Sequence, residues 1–341
     1  MSQTTDSVAA GTEDAAAPWR RVLDAVGVQN LSLLIALGIL VAIIGSQQSG
    51  FFLAANIETI GTAVAVTGLL SLVETVVIIL GGLDISVGSL AGLSSVASAM
   101  IFTALDANAM FGIVGALLIG LACGLLNGCV IVFGRVNPVV ATLATLAAFK
   151  GLAQLISDGR AQGYTGTNSV FIFIARGAIL GIPTLIWVFA AVAVVIHIVL
   201  RYSDIGRNIY AIGGNETAAR LAGININKYI LAVYACSGLV AALAGLLITA
   251  RTGSGQPVSG SEGTELEAVT GAALGGCVMK GGKGSVVGTV LAVILLGVLT
   301  NGMTLLGINP FWQNVAKGTL LVVAVIIQQL RSGERRVGLP A

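Results

Sequence analysis

Apolar stretches close to twenty residues long recur along this chain, separated by short segments that carry most of its charge. A hydrocarbon core about 30 Å thick needs about 20 apolar residues at a rise of 1.5 Å each, so the pattern selects a bundle of membrane-crossing helices. Ten segments reach or approach that length: about 31–46, 58–80, 86–104, 111–133, 138–157, 180–200, 229–250, 265–279, 286–306 and 311–330. The eighth is short for a crossing and is expected to be tilted, broken or re-entrant. Charged residues make up 9% of the chain, against roughly 25% in soluble domains, which excludes a water-soluble fold. The net charge of +2 gives no basis for binding nucleic acid. The expectation is an all-α polytopic membrane protein.

The first segment follows Arg20 and Arg21 in the manner of a secretion signal. The mostly polar residues 1–30 precede it, however, and no small-residue cleavage site follows at the usual spacing, so it reads as an uncleaved helix. With ten crossings and both termini cytoplasmic, Arg20, Arg21, Arg135, Arg201, Arg207, Arg220, Lys228, Lys280, Lys283, Arg331, Arg335 and Arg336 face inward. Only Arg160, Arg176 and Arg251 then face outward, as the positive-inside rule asks. Residues 1–29 are expected to form a disordered or surface-lying cytoplasmic tail, 30–331 the membrane domain, and 332–341 a second cytoplasmic tail. The outward loop 158–179 carries Tyr164 and Asn168, and the longest inward segment is 201–228.

Some chemistries lack their residues. The nearest approach to a phosphate-cradling loop runs from Cys277 to Gly284, with Cys277 where the first glycine belongs and Gly284 where Ser or Thr is needed. Nucleotide chemistry therefore belongs to another chain, and no cofactor is expected on this one. Cys123, Cys129, Cys236 and Cys277 lie in apolar segments without zinc-like spacing, so neither a metal site nor a disulfide framework is expected. The single histidine, His197, sits near the inner end of the sixth segment and reads as an interfacial residue. No nucleophile constellation is present, and catalysis is not expected.

Within 206–226, Asn215 follows an expected Gly213-Gly214 turn as a helix N-cap, with Glu216 at the positive end of the helix. Thr217 to Ala222 are fair to good helix formers, and Gly223 stops them. A helix of about two turns is unstable alone in water and needs something to dock on. Elsewhere, the stretches 81–89 and 281–289 echo each other, both opening Gly-Gly between two crossings. A duplicated transporter half and two unrelated glycine turns explain this equally well.

Ala218-Ala219-x-x-x-Gly223 resembles the cytoplasmic loop of permease subunits in ATP-binding-cassette importers. Gly81-Gly82-Leu83-Asp84-Ile85-Ser86-Val87-Gly88-Ser89 sharpens the likeness, as do Asn137-Pro138 through Thr142-Leu143 to Lys150-Gly151, and Gly206-Arg207 through Gly213 to Asn215. In this order they are similar to the ribose-type sugar permeases of that class, over roughly residues 50–330. One departure is Thr217 where the family has Glu, with Glu216 displaced by one. The resemblance implies a monosaccharide permease of the bacterial inner membrane. It also implies a separate ATPase subunit, a periplasmic or lipid-anchored sugar-binding protein and a second permease copy in a homodimer. Gly213, Asn215, Glu216, Ala218, Ala219, Arg220 and Gly223 would then couple to the ATPase. Relatives of the class carry branched-chain amino acids or nucleosides, and an ion-driven carrier built on Glu74 is a more distant alternative.

An ionisable group at membrane depth costs about 2.5–3.5 kcal/mol, so each such residue needs a partner or water. Lys150 and Lys317 lie about 10 Å from the outer ends of their segments. They either snorkel outward or line an outward-opening vestibule. Glu74 lies deeper, and Asp84 suits either an N-cap of the third segment or contact with a passing sugar. With Asn127, Asn137 and Asn301 these are the candidate pathway residues, since a neutral solute needs polar walls of modest grip. Ser71, Thr75, Thr142, Thr145, Gln154 and Thr270 lie at suitable depths too, although bonding between helices is the commoner use. The runs Gly120-x-x-x-Gly124-x-x-x-Gly128 and Gly271-x-x-x-Gly275 read as packing faces.

Overall fold

A computed structural model describes residues 27–105, 109–163, 169–258 and 262–332. Thirteen helices are described: α1 (Val28–Gln47), α2 (Ala54–Leu80), α3 (Val87–Ala104), α4 (Ala109–Val132), α5 (Pro138–Ser157), α6 (Ser169–Arg176), α7 (Thr184–Tyr202), α8 (Asp204–Gly214), α9 (Glu216–Leu221), α10 (Ile226–Thr252), α11 (Thr264–Leu274), α12 (Val286–Leu305) and α13 (Pro310–Ser332). Two short antiparallel pairs join Gln162–Gly163 to Ser254–Gly255 and Ala178–Ile179 to Ile182–Pro183. Nearly all of both expected tails, and Tyr164 and Asn168, lie outside the described residues.

Among the described residues eight helices are long and apolar enough to cross a membrane: α1 to α5, α7, α10 and α12. The eighth expected segment breaks. Its helix α11 stops at Leu274, and Gly276, with φ 100°, turns the chain into a loop that continues to Ser285. In α13 a shorter apolar stretch, Pro310–Ile326, is found among the described residues.

The helix ends follow local chemistry. α2 stops at Gly81, in the left-handed region at φ 97°, where Gly82 N returns to Val77 O at 2.9 Å. α5 opens on Asn137, whose side chain accepts from Val139 N at 2.9 Å, with Pro138 in the first turn. Ser285 caps α12 in the same manner, accepting from Gly288 N at 3.1 Å.

The core lies around α2, α3 and α10, whose most apolar windows are 83%, 78% and 61% buried, against 11% for α1 and 22% for α7. Close backbone approach builds it. A Cβ on Gly124 would collide with Tyr234 O and one on Gly238 with Gly120 O, so the glycine run of α4 is its contact face with α10. Gly271 and Gly275 play that part between α11 and helices α2 and α12.

Hydrogen bonds sort the loops into two ends. At the end here termed lower, Gly282 N donates to Ile79 O at 2.8 Å, Thr142 Oγ1 to Leu83 O at 3.3 Å and Gln29 Nε2 to Leu274 O at 3.1 Å. At the upper end, Asn56 and Asn301 bond reciprocally, Nδ2 to Oδ1, at 3.2 and 2.8 Å.

Candidate functional site

The segment after α7 projects from the lower end. Ser203 caps α8, a helix not expected from the sequence, by accepting from Gly206 N at 3.2 Å. Asp204 pairs with Arg207 on its outer side. Ile209 and Ile212 bury the inner side, and Tyr210 donates to the Gly284 carbonyl at 3.0 Å. Burial raises the Tyr210 hydroxyl above its ordinary value, with Cys277 adding to the rise and Arg201 opposing it, so the group remains a donor. The expected Gly213-Gly214 turn is corrected: both residues are the last of α8. A Cβ on Gly213 would strike Ile79 O and stand 2.6 Å from Gly282 N, so this glycine is set by contact and not by a turn.

Asn215 caps α9 by accepting from Ala218 N at 3.0 Å. Glu216 and Arg220 pair across one turn at 2.7 Å. Gly223, at φ 84°, ends the helix, and Ile224 N returns to Ala219 O at 3.1 Å. Ala219 is the buried residue of α9, while Ala218 and Arg220 are exposed and Leu221 is 84% exposed. A six-residue helix held by its caps, with a leucine in the open, stands outside the core.

Above it lies a buried polar knot. Glu74, Asp84 and Asn127 are all fully buried. Asp84 Oδ1 accepts from Ser86 N at 3.1 Å and Ser86 Oγ at 2.6 Å, and Oδ2 accepts from Ser237 Oγ at 2.8 Å. Asn127 Nδ2 donates to Ser86 Oγ at 2.8 Å, and Asp84 N donates to Glu74 Oε1 at 3.2 Å. Burial raises the Asp84 carboxyl, and the bonds from Ser86 and Ser237 pull against that rise. Asp84 therefore ties the 81–86 turn to α10, and the α3 N-cap is Ser86, two residues later. Asn137 is likewise engaged as the cap of α5.

The remaining three candidates stand at the upper end. Lys150 pairs with Glu262 at 2.6 Å, the two side chains 35% and 62% exposed. Lys317 pairs with Glu267 at 2.5 Å, at 19% and 29% exposed. Each lysine thus has a carboxylate at the start of α11 or just before it. Asn301 and Glu267 line a cavity of about 230 Å³ between α2 and α12, with Thr59, Thr67, Ser71 and Thr300 on its walls.

A family model described as "Branched-chain amino acid transport system / permease component" matches residues 56–325. The ribose import permease protein RbsC of Escherichia coli (strain K12) is 36% identical over 310 residues, covering 90% of this chain and 96% of that protein. RbsC of Bacillus subtilis (strain 168) is 37% identical over 305 residues, covering 89% and 94%. The D-allose transport system permease protein AlsC of Escherichia coli (strain K12) is 34% identical over 297 residues, covering 87% and 90%. The chain belongs to this permease family. No solved structure matches it significantly.

In this permease the two sets of candidate residues occupy opposite ends: 213–223 below, Lys150, Asn301 and Lys317 above, with the knot of Glu74, Asp84 and Asn127 near the lower end. Sequence reasoning missed the carboxylates Glu262 and Glu267. Their signal is present, because acidic residues open the eighth apolar segment and need partners at that depth. Ser86, Ser237 and Tyr210 gave no comparable signal, since their roles rest on contacts between distant segments.

Proposed function

We propose that this chain is the membrane-spanning permease of an ATP-binding-cassette importer that moves a monosaccharide across the bacterial cytoplasmic membrane. One observation carries the mechanism: α9 stands outside the bundle, capped at both ends, with Leu221 bare. A separate ATPase subunit docks there and grips Asn215, Glu216, Ala218, Ala219, Arg220 and Gly223, with Gly213 behind them. The lower end is then cytoplasmic, both termini lie on that side, and ten segments alternate across the bilayer, the eighth as a helix broken after Leu274. The distribution of Lys and Arg supports that orientation. A sugar-binding protein delivers cargo to the upper end, a second copy of this chain completes the pathway, and ATP and magnesium remain on the ATPase.

The names of the relatives support a sugar as cargo, while the description of the family model favours the alternative of a branched-chain amino acid. Reconstitution of the permease with its ATPase and binding protein in proteoliposomes tests both readings. ATP-driven uptake of ribose is expected, and Leu221→Glu should reduce uptake at least tenfold without changing the melting temperature of the purified permease. Leucine uptake in place of ribose overturns the cargo. Accumulation by the chain alone on an ion gradient overturns the class.

A further inference from the structure

The cavity between α2 and α12 has a definite hydrogen-bonding sense. Thr59, Thr67 and Ser71 line it along about 18 Å of α2, counted as twelve residues at 1.5 Å each. Thr59 Oγ1 donates to Ala55 O at 2.8 Å, Thr67 Oγ1 to Ala63 O at 3.3 Å, and Ser71 Oγ to Thr67 O at 2.9 Å. With its proton committed to its own helix, each hydroxyl oxygen has only lone pairs to offer. Glu267 adds a carboxylate, one oxygen of which accepts from Lys317, so acceptors predominate among the polar groups of this largely apolar wall. Lys317 also balances the Glu267 charge, leaving little net field to draw an amine or another cation. The ligand that fits is neutral and brings its own O–H donors. A volume of about 230 Å³ holds a small solute, being roughly eight times the share of one water in the liquid.

We propose that this cavity is a binding station for a neutral polyol, recognised through Thr59, Thr67, Ser71 and Glu267. The inference rests on the importer reading, in which the polyol is the transported monosaccharide. Three hydroxyl acceptors and one ion-paired carboxylate grip weakly enough to release cargo onward, which a transport path requires.

The test uses the assembled importer in proteoliposomes, with one binding protein throughout, and compares ribose with 2-deoxyribose and 5-deoxyribose. Thr67→Val, Ser71→Ala and Glu267→Gln each remove an acceptor or its charge with little change in volume. Ribose uptake should fall roughly two- to tenfold for each, the range expected of one hydrogen bond. The decisive readout is the preference for ribose over a deoxy sugar. In at least one variant that ratio should move toward one, whereas a merely structural defect slows all three sugars alike. Unchanged rates and ratios in all three variants, or equal slowing of every sugar, overturn the cavity assignment and leave the importer reading intact. If the unaltered complex takes up no monosaccharide, both fall together.

Discussion

The two ends of the bundle are fastened by opposite means. Below, Gly81, Gly213, Gly281 and Gly282 bring backbone onto backbone, and a fully buried carboxylate, Asp84, receives three hydrogen bonds. Above, the half-helix α11 is held to α5 and α13 through long side chains, Lys150 to Glu262 and Lys317 to Glu267, with cavities beside both pairs. A backbone contact has no rotamer to change, whereas a lysine stem has several. The lower loops are thus held in register by fixed contacts, whereas the ion pairs above can change rotamer.

Substitutions can break that contrast, beginning where the effect should be largest. Asp84→Ala removes the acceptor of three buried bonds and should destabilise the permease by about 3 kcal/mol or more, read from denaturation in detergent. Gly213→Ala places a methyl against Ile79 O and should cost about 1–3 kcal/mol by overpacking. A variant that melts like the parent would show that this joint has room to spare. Lys317→Met should cost about 1 kcal/mol, since its pair is only partly shielded from solvent. Charge exchange in the double variant Lys317→Glu with Glu267→Lys should recover most of that loss. Lys150→Ala should change stability by less than about 1 kcal/mol, because both partners are well exposed. A larger loss at Lys150 than at Gly213 would invert the comparison.

Much of this was legible beforehand, and for identifiable reasons. Apolar run length placed the long helices, because the rise per residue and the bilayer thickness leave few alternatives. Caps and stops such as Asn215 and Gly223 act within a few residues of themselves, so spacing alone locates them. Helix α8 escaped because Gly213 and Gly214 signal a turn when neighbours are ignored, while the actual reason for Gly213 is Ile79, distant in sequence. What surrounds Glu74 and Asp84 could not be read beforehand: the fold sets them in a knot with Ser86 and Ser237. Only the fold brings Ser237 to Asp84. The lysines were noticed and their carboxylates were not, because charge was counted inside the long helices and not at the head of a broken one.

The break after Leu274 has a consequence for water. A helix end leaves its last carbonyls without intrahelical partners; here Gly275, Cys277 and Gly276 return their N–H groups to the carbonyls of Gly271, Ala272 and Ala273, and Gln29 of the loosely packed α1 supplies the donor to Leu274 O. The first helix therefore completes the last hydrogen bond at that helix end. Displacing it would leave the Leu274 carbonyl, at the lower end, to be met by water.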